Sequence, residues 1–218
     1  MFMGFFKSLR IVDVTKPIPL EEIRKRAKII VIDDDPNSFP CELLRKEGYT
    51  IESWQKVESL SRLEKGDFDI IILDIGGVAG EYSPQDGLGV LEHLKNYNPS
   101  QIIVAFSGQT FDLGKTRFWK MADDSLSKPV DVIKCKEVID HLLQEKFTLG
   151  HYWEGLISIL RSEGISDTDI EKLERRVAKA IKKGDKKEVM STIKSVTEKA
   201  EIAGRLLLIA EKIATLFG

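Results

Sequence analysis

Ile70-Ile71-Ile72-Leu73-Asp74 decides the reading of this 218-residue chain: four aliphatic side chains in a row, closed by a carboxylate. A short run that is apolar at every position, not at alternate ones, predicts a strand covered on both faces, as in a parallel sheet. The same pattern recurs on both sides. Lys28–Ile32 is apolar and ends in Asp33-Asp34-Asp35; Gln101–Phe106 is apolar and ends in Ser107-Gly108; the brief run Ser125–Ser127 ends in Lys128-Pro129. Tyr49–Trp54 reads as one more strand. Helical spacing fills the gaps, with Leu43 and Leu44 before Gly48, then Val57, Leu60 and Leu63 before Gly66. Leu88, Leu91 and Leu94 mark the next helix, a short one follows over Asp112–Met121, and Val132, Val138, Ile139, Leu142 and Leu143 mark the last. Alternating β and α signals predict a doubly wound α/β fold, in which ligands bind beyond the carboxyl ends of the strands.

After Phe147 the strand signals stop. Helices are expected over Tyr152–Ser162 and through Ile170, Leu173, Val177 and Ile181, with Ser166 and Asp169 as a capping box and Gly184 as a stop. From Asp185 one long segment carries Val189, Ile193, Val196, Ala200, Ala203, Leu207 and Ala210 near a 3.5-residue period. The expected organisation is an N-terminal extension (1–27), an α/β domain (28–146) and a small all-α domain (147–218) that forms a bundle or a dimerising hairpin. Within the extension, Arg10–Val14 could add an edge strand and Leu20–Arg26 a short charged helix.

Composition excludes several classes. The net charge is -2, 42% of residues are hydrophobic and 31% charged, an ordinary globular balance with no global case for nucleic acid. Cys41 and Cys135 are too few for a disulfide framework, have no zinc spacing, and read as reduced thiols in helices. The apolar start Met1–Phe6 is too short for a signal peptide and no run is long enough to span a membrane, so a cytoplasmic protein is expected. His93, His141 and His151 stand alone, Trp54, Trp119 and Trp153 read as packing residues, and the glycines of 75–87 lack the Gly-Lys-Ser/Thr of a nucleotide cradle.

The strand ends carry the chemistry. They bring together several carboxylates, one hydroxyl and one ammonium. Crowded acids favour a divalent cation, and an all-oxygen ligand set favours magnesium. A carboxylate can attack phosphorus, with metal and lysine neutralising the transferred group.

Val31-Ile32-Asp33-Asp34-Asp35-Pro36, Ile72-Leu73-Asp74, Ala105-Phe106-Ser107-Gly108 and Ser127-Lys128-Pro129 resemble, in order and spacing, the signature of the two-component response-regulator receiver domain, the CheY-like family. The resemblance covers residues 28–146. It implies a flavodoxin-like five-stranded parallel sheet in order 2-1-3-4-5. It implies Asp74 as phosphoacceptor, Ser107 as switch hydroxyl and Lys128 as the phosphoryl-pairing cation. It implies Mg2+ on Asp33, Asp34, Asp74 and the Gly76 carbonyl, and a Lys128-Pro129 bond that is often cis. Asp86-Gly87 matches the Asp-Gly that opens the third helix. The implied role is a signalling switch, not a classical enzyme. Its partner would be a histidine kinase or phosphotransfer protein, and its helical output would work by protein contact or dimerisation.

Two departures stand out. The segment 75–85 is about five residues longer than the family's turn, and its three glycines imply mobility. Ser125 occupies a position usually aromatic, which bears on how phosphorylation is read out. Asp35 is either part of the acidic group or a loop acid before Pro36. Lys172, Arg175, Arg176, Lys179, Lys182, Lys183, Lys186 and Lys187 form a basic stretch. Interspersed with Glu171, Glu174, Asp185 and Glu188, it reads as a solvated face, so nucleic acid is not an expected partner. The alternatives are a DNA-binding regulator acting through that stretch and a phosphorylation-independent scaffold.

Overall fold

A computed structural model describes residues 9–108 and 116–217. The apolar start at residues 1–6, and residues 112–115 of the expected short helix, lie outside them. The chain divides into two compact units, one of Ile18–Phe147 and the other containing residues 9–17 and 148–217. The stretch 1–27 is thus shared between the two.

The single turn α1 (Ile11–Val14) belongs to the second unit. It is a helix and not the edge strand its β-branched residues imply. Arg10 N–H donates to Asp13 Oδ2 at 2.9 Å and Ile11 N–H to Glu174 Oε1 at 3.0 Å, while the Ile11 side chain is buried. Capping and burial override a weak β propensity here.

The α/β unit begins with α2 (Leu20–Arg26), the charged helix expected there, followed by β1 (Lys28–Ile32), α3 (Cys41–Lys46), β2 (Thr50–Trp54) and α4 (Leu60–Glu64). Next come β3 (Ile70–Asp74), α5 (Gly87–Tyr97), β4 (Ile102–Ser107), α6 (Thr116–Met121), β5 (Asp124–Ser127) and α7 (Val132–Lys146). The five strands are parallel in the order β2-β1-β3-β4-β5. Every residue of β3 and β4 is buried, as their unbroken apolar runs require. Helix α2 is fastened to α7, where Arg24 gives a two-pronged hydrogen bond to Asp140 that also accepts from Tyr49 Oη. Asp123 ties α5, α7 and β4 together, accepting from Lys95, Lys146 and the Ile103 amide.

Four longer helices make up the rest of the second unit: α8 (Leu149–Ser162), α9 (Asp167–Lys183), α10 (Lys186–Lys194) and α11 (Ala200–Leu216). Ser166 caps α9, accepting from the Asp169 amide, and Gly184 ends it at φ +73°. The segment read as one long helix from Asp185 is two. Ser195 Oγ donates to the Thr192 carbonyl and Thr197 Oγ1 accepts from the Lys199 amide, so short polar side chains compete with the helical ladder at the break. Val189, Ile193 and Ala210 of the expected seam are buried within the unit, while Ala203 and Leu207 are half-buried. Among the described residues no helix is long and apolar enough to cross a membrane.

Candidate functional site

Strand register assembles the site. Ile32 pairs with Leu73, so Asp33 leaves the sheet beside Asp74; Ser107 pairs with Ser127, so Lys128 follows one residue beyond. Asp33, Asp74 and Ser107 are buried and Asp34 is exposed. The carboxylates of Asp33, Asp34 and Asp74 each place an oxygen within 4.8 Å of the other two. Lys128 Nζ lies 2.5 Å from Oδ2 of both Asp33 and Asp74 and 4.9 Å from the centroid of the buried Phe106 ring. Burial alone would lower the Lys128 pKa, but the Asp33 and Asp74 carboxylates beside it raise it above the ordinary lysine value. The Lys128-Pro129 bond is cis.

The Asp74 carboxylate is aimed by its own backbone, with Oδ1 accepting from Ile75 N–H at 2.6 Å and from Gly76 N–H at 3.4 Å. Asp33 Oδ1 accepts from Asp35 N–H at 2.9 Å. Asp33 Oδ2 is buried and, although the ammonium sits beside it, receives no well-aligned hydrogen bond. A buried carboxylate oxygen in that condition, with two more acids at hand, fits a divalent cation bound by hard oxygen ligands. Asp35 builds the turn, with Oδ1 accepting from Asn37 N–H at 2.9 Å. Ser125 is exposed, and its amide donates to Asp124 Oδ1. Cys41 and Cys135 take no part, since burial raises both thiols, Cys135 to about 12, and leaves them protonated at neutral pH.

The loop 75–86, whose glycines implied mobility, is held at several points. Val78 and Ala79 are buried in the core, and the Val78 carbonyl accepts from the Val57 amide at 2.8 Å. Lys56 pairs with Glu81 at 2.7 Å. The Asp86 carboxylate accepts from three successive amides, those of Gly77, Val78 and Ala79. From its place before Gly87, Asp86 reads only as the opening of a helix. Its one visible signal was a carboxylate placed directly after a glycine-rich segment.

Chemically, the arrangement offers carboxylates able to hold a cation and an ammonium able to neutralise an anion, with Ser107 at the end of the neighbouring strand.

No family model matches the sequence, and no curated protein matches it. Solved structures resemble it over roughly half its length or more. A CheY-like response regulator receiver domain protein from Methanospirillum hungatei is 23% identical, with 55% of this chain and 95% of that chain covered and a TM-score of 0.47. The response regulator TrrA from Thermotoga maritima, in complex with Mg2+ and BeF, is 26% identical, covering 53% and 98%, with a TM-score of 0.44. NtrX from Brucella abortus, in complex with ATP, is 22% identical over 71% of this chain but only 34% of its own, with a TM-score of 0.47. With strands in the order 2-1-3-4-5, and acids, a hydroxyl and a lysine at the carboxyl ends of β1, β3, β4 and β5, the α/β unit has the receiver fold of the response regulators.

Proposed function

We propose that this chain is the phospho-accepting switch of a two-component relay, taking a phosphoryl group from a histidine kinase or phosphotransfer protein on Asp74. The observation that carries the reading is Lys128 Nζ within 2.5 Å of both Asp33 and Asp74, in a cluster whose third acid is Asp34. Asp33, Asp34, Asp74 and the Gly76 carbonyl would hold Mg2+. When bound, the cation supplies charge neutralisation to the acids and to the phosphoryl oxygens. An Asp74 carboxylate oxygen forms the new bond to phosphorus as the bond from phosphorus to the donor's imidazole nitrogen breaks, and a proton neutralises the departing nitrogen. Lys128, already on Asp74, pairs with the arriving phosphoryl group. The Ser107 hydroxyl donates to a phosphoryl oxygen, which draws β4 toward the site. The helical unit is the output, acting by protein contact or self-association in the cytoplasm. The test adds a small-molecule phosphodonor and Mg2+ to purified protein. One phosphoryl group is expected on the wild type and none on Asp74→Asn, with a change in assembly or partner affinity on the wild type alone. Labelling of Asp74→Asn to the wild-type extent contradicts the reading.

A second reading of the output has its own observation. Lys172, Arg175, Arg176, Lys179, Lys182 and Lys183 share an arc of about 120° on α9, opposite its buried face. Asp169 pairs with Lys172 and Glu188 with Lys183, but two further acids are engaged elsewhere. Glu174 serves Ile11 and Arg10, and Asp185 caps α10. Among the described residues, Arg176, Lys179, Lys182, Lys186 and Lys187 have no ion-pair partner. A partly unbalanced cationic ridge of this kind suits a phosphate backbone. On this reading the protein binds duplex DNA at low salt, log K falls against log salt with a slope of roughly −3 to −5, and Arg175→Glu with Lys179→Glu removes binding. Absence of binding at low salt leaves protein contact as the output.

A further inference from the structure

Asp86 sits at φ +53°, ψ −133°, and among the described residues it is the one non-glycine at positive φ. L-residues other than glycine avoid this region, and they persist there only where the surroundings hold them. What holds Asp86 is its own carboxylate. Oδ2 accepts from Gly77 N–H at 2.5 Å, and Oδ1 accepts from Val78 N–H at 3.1 Å and from Ala79 N–H. Three amides converging on one carboxylate fix three successive peptide planes.

Those planes bear directly on the acidic cluster. Gly77, at φ +82°, packs so closely against Asp34 that a Cβ there would stand 2.7 Å from Asp34 Oδ2. Gly76, the residue before it, has its amide on Asp74 Oδ1. Farther along, the loop folds back on α5, where a Cβ on Gly89 would stand 1.9 Å from Ser83 Oγ. Val78 is anchored to Val57. The segment is therefore clamped at both ends, and its N-terminal end forms one wall of the site.

We propose that Asp86 is a positioning residue for the divalent-cation site: by holding the Gly77–Ala79 amides it fixes the Gly76–Gly77 backbone against the Asp34 and Asp74 carboxylates. This rests on the phospho-accepting reading above and adds to it. The extra length of the loop would otherwise leave the cation site with a wandering wall. A carboxylate anchored beyond the far end of the loop restores preorganisation, which is what outer-shell groups supply at metal sites generally.

The experiment measures Mg2+ affinity by titration calorimetry, and amide exchange at residues 77–79, for wild type, Asp86→Ala, Asp86→Gly and Asp86→Asn. Asp86→Gly tolerates the positive φ and lacks only the carboxylate, so it separates positioning from backbone strain and serves if Asp86→Ala fails to fold. Asp86→Asn keeps one acceptor oxygen and makes the same demand on the backbone as the aspartate it replaces. Mg2+ binding is expected to weaken roughly 10–100-fold in Asp86→Gly and Asp86→Ala, with faster exchange at 77–79, and Asp86→Asn is expected to recover much of the loss. Folded Asp86→Gly with wild-type Mg2+ affinity overturns the inference, whatever its exchange rates. Wild type that binds no Mg2+ overturns both this inference and the reading it rests on, whereas wild type that binds while Asp86→Gly matches it overturns this inference alone.

Discussion

Lys128→Ala is expected to lower the melting temperature of the Mg2+-free protein by about 5–10 °C while tightening Mg2+ binding. The two effects have one origin. Lys128 Nζ neutralises Asp33 and Asp74 together, and both are buried. Removing one partner of a buried charge pair costs about 3–5 kcal/mol when the other is left unpaired. The lysine side chain is 20% exposed, so solvent screening reduces this to about 2–3 kcal/mol. The same removal takes a positive charge away from the acids that would hold a cation, so the repulsion between ammonium and Mg2+ disappears. Saturating Mg2+ should therefore recover most of the lost stability. Phosphorylation should nonetheless slow, because the group that pairs with the transferred phosphoryl is missing. Calorimetric melting with and without Mg2+, beside a Mg2+ titration, checks all three parts. A variant with unchanged melting temperature and unchanged Mg2+ affinity would show that Lys128 is not coupled to the acids.

Gly87→Ala is expected to destabilise the α/β unit by about 2–4 kcal/mol and to slow Asp74 phosphorylation more than about 10-fold. A Cβ at this position would stand 2.1 Å from the Asp74 carbonyl oxygen, 2.9 Å from Ile75 Cα and 3.0 Å from the Asp74 carbonyl carbon. All three atoms are backbone, so no side-chain rotation relieves the overlap. The overlap is with the backbone of the residue whose carboxylate defines the site. Gly80→Ala is the control. It lies in the same loop with nothing within 4 Å of its Cβ position and no positive φ, so its effect should stay within about 0.5 kcal/mol. Denaturant unfolding of both variants measures the difference, and equal stabilities would mean that α5 does not approach Asp74 this closely.

How much of this was legible in the sequence follows from how each feature is encoded. Asp33, Asp34, Asp74 and Ser107 could be placed along one edge because they end or follow apolar strands, whereas Lys128, after the polar β5, was picked out by the motif's resemblance to the receiver signature. A parallel sheet then gathers strand ends along one edge whatever the helices do. Local rules sufficed for the Ser166 cap and the Gly184 stop of α9. The Asp86 clamp was hidden because a side chain bonding to amides seven to nine residues back depends on the path of the loop, which no periodicity records. Glycine content alone pointed to mobility. The helical α1 was hidden because its decisive contact, Glu174, lies 163 residues away. The break between α10 and α11 was hidden for the opposite reason. The apolar period runs on through Val196 and Ala200 in the sequence although Ala200 is exposed, and Ser195 and Thr197 interrupt the backbone between them. The cationic stretch on α9 was visible, but its acids looked available until the fold committed Glu174 and Asp185 to other partners.

The claim that Asp74 is the phosphoacceptor is tested most directly by chemical trapping of the acyl phosphate. The protein is treated with a small-molecule phosphodonor and Mg2+, reduced with borohydride, digested and sequenced by mass spectrometry. An aspartyl phosphate is reduced to homoserine, so homoserine at position 74, dependent on both Mg2+ and donor, is the predicted result. Homoserine at another aspartate, or none with the phosphoryl group found elsewhere, would contradict it.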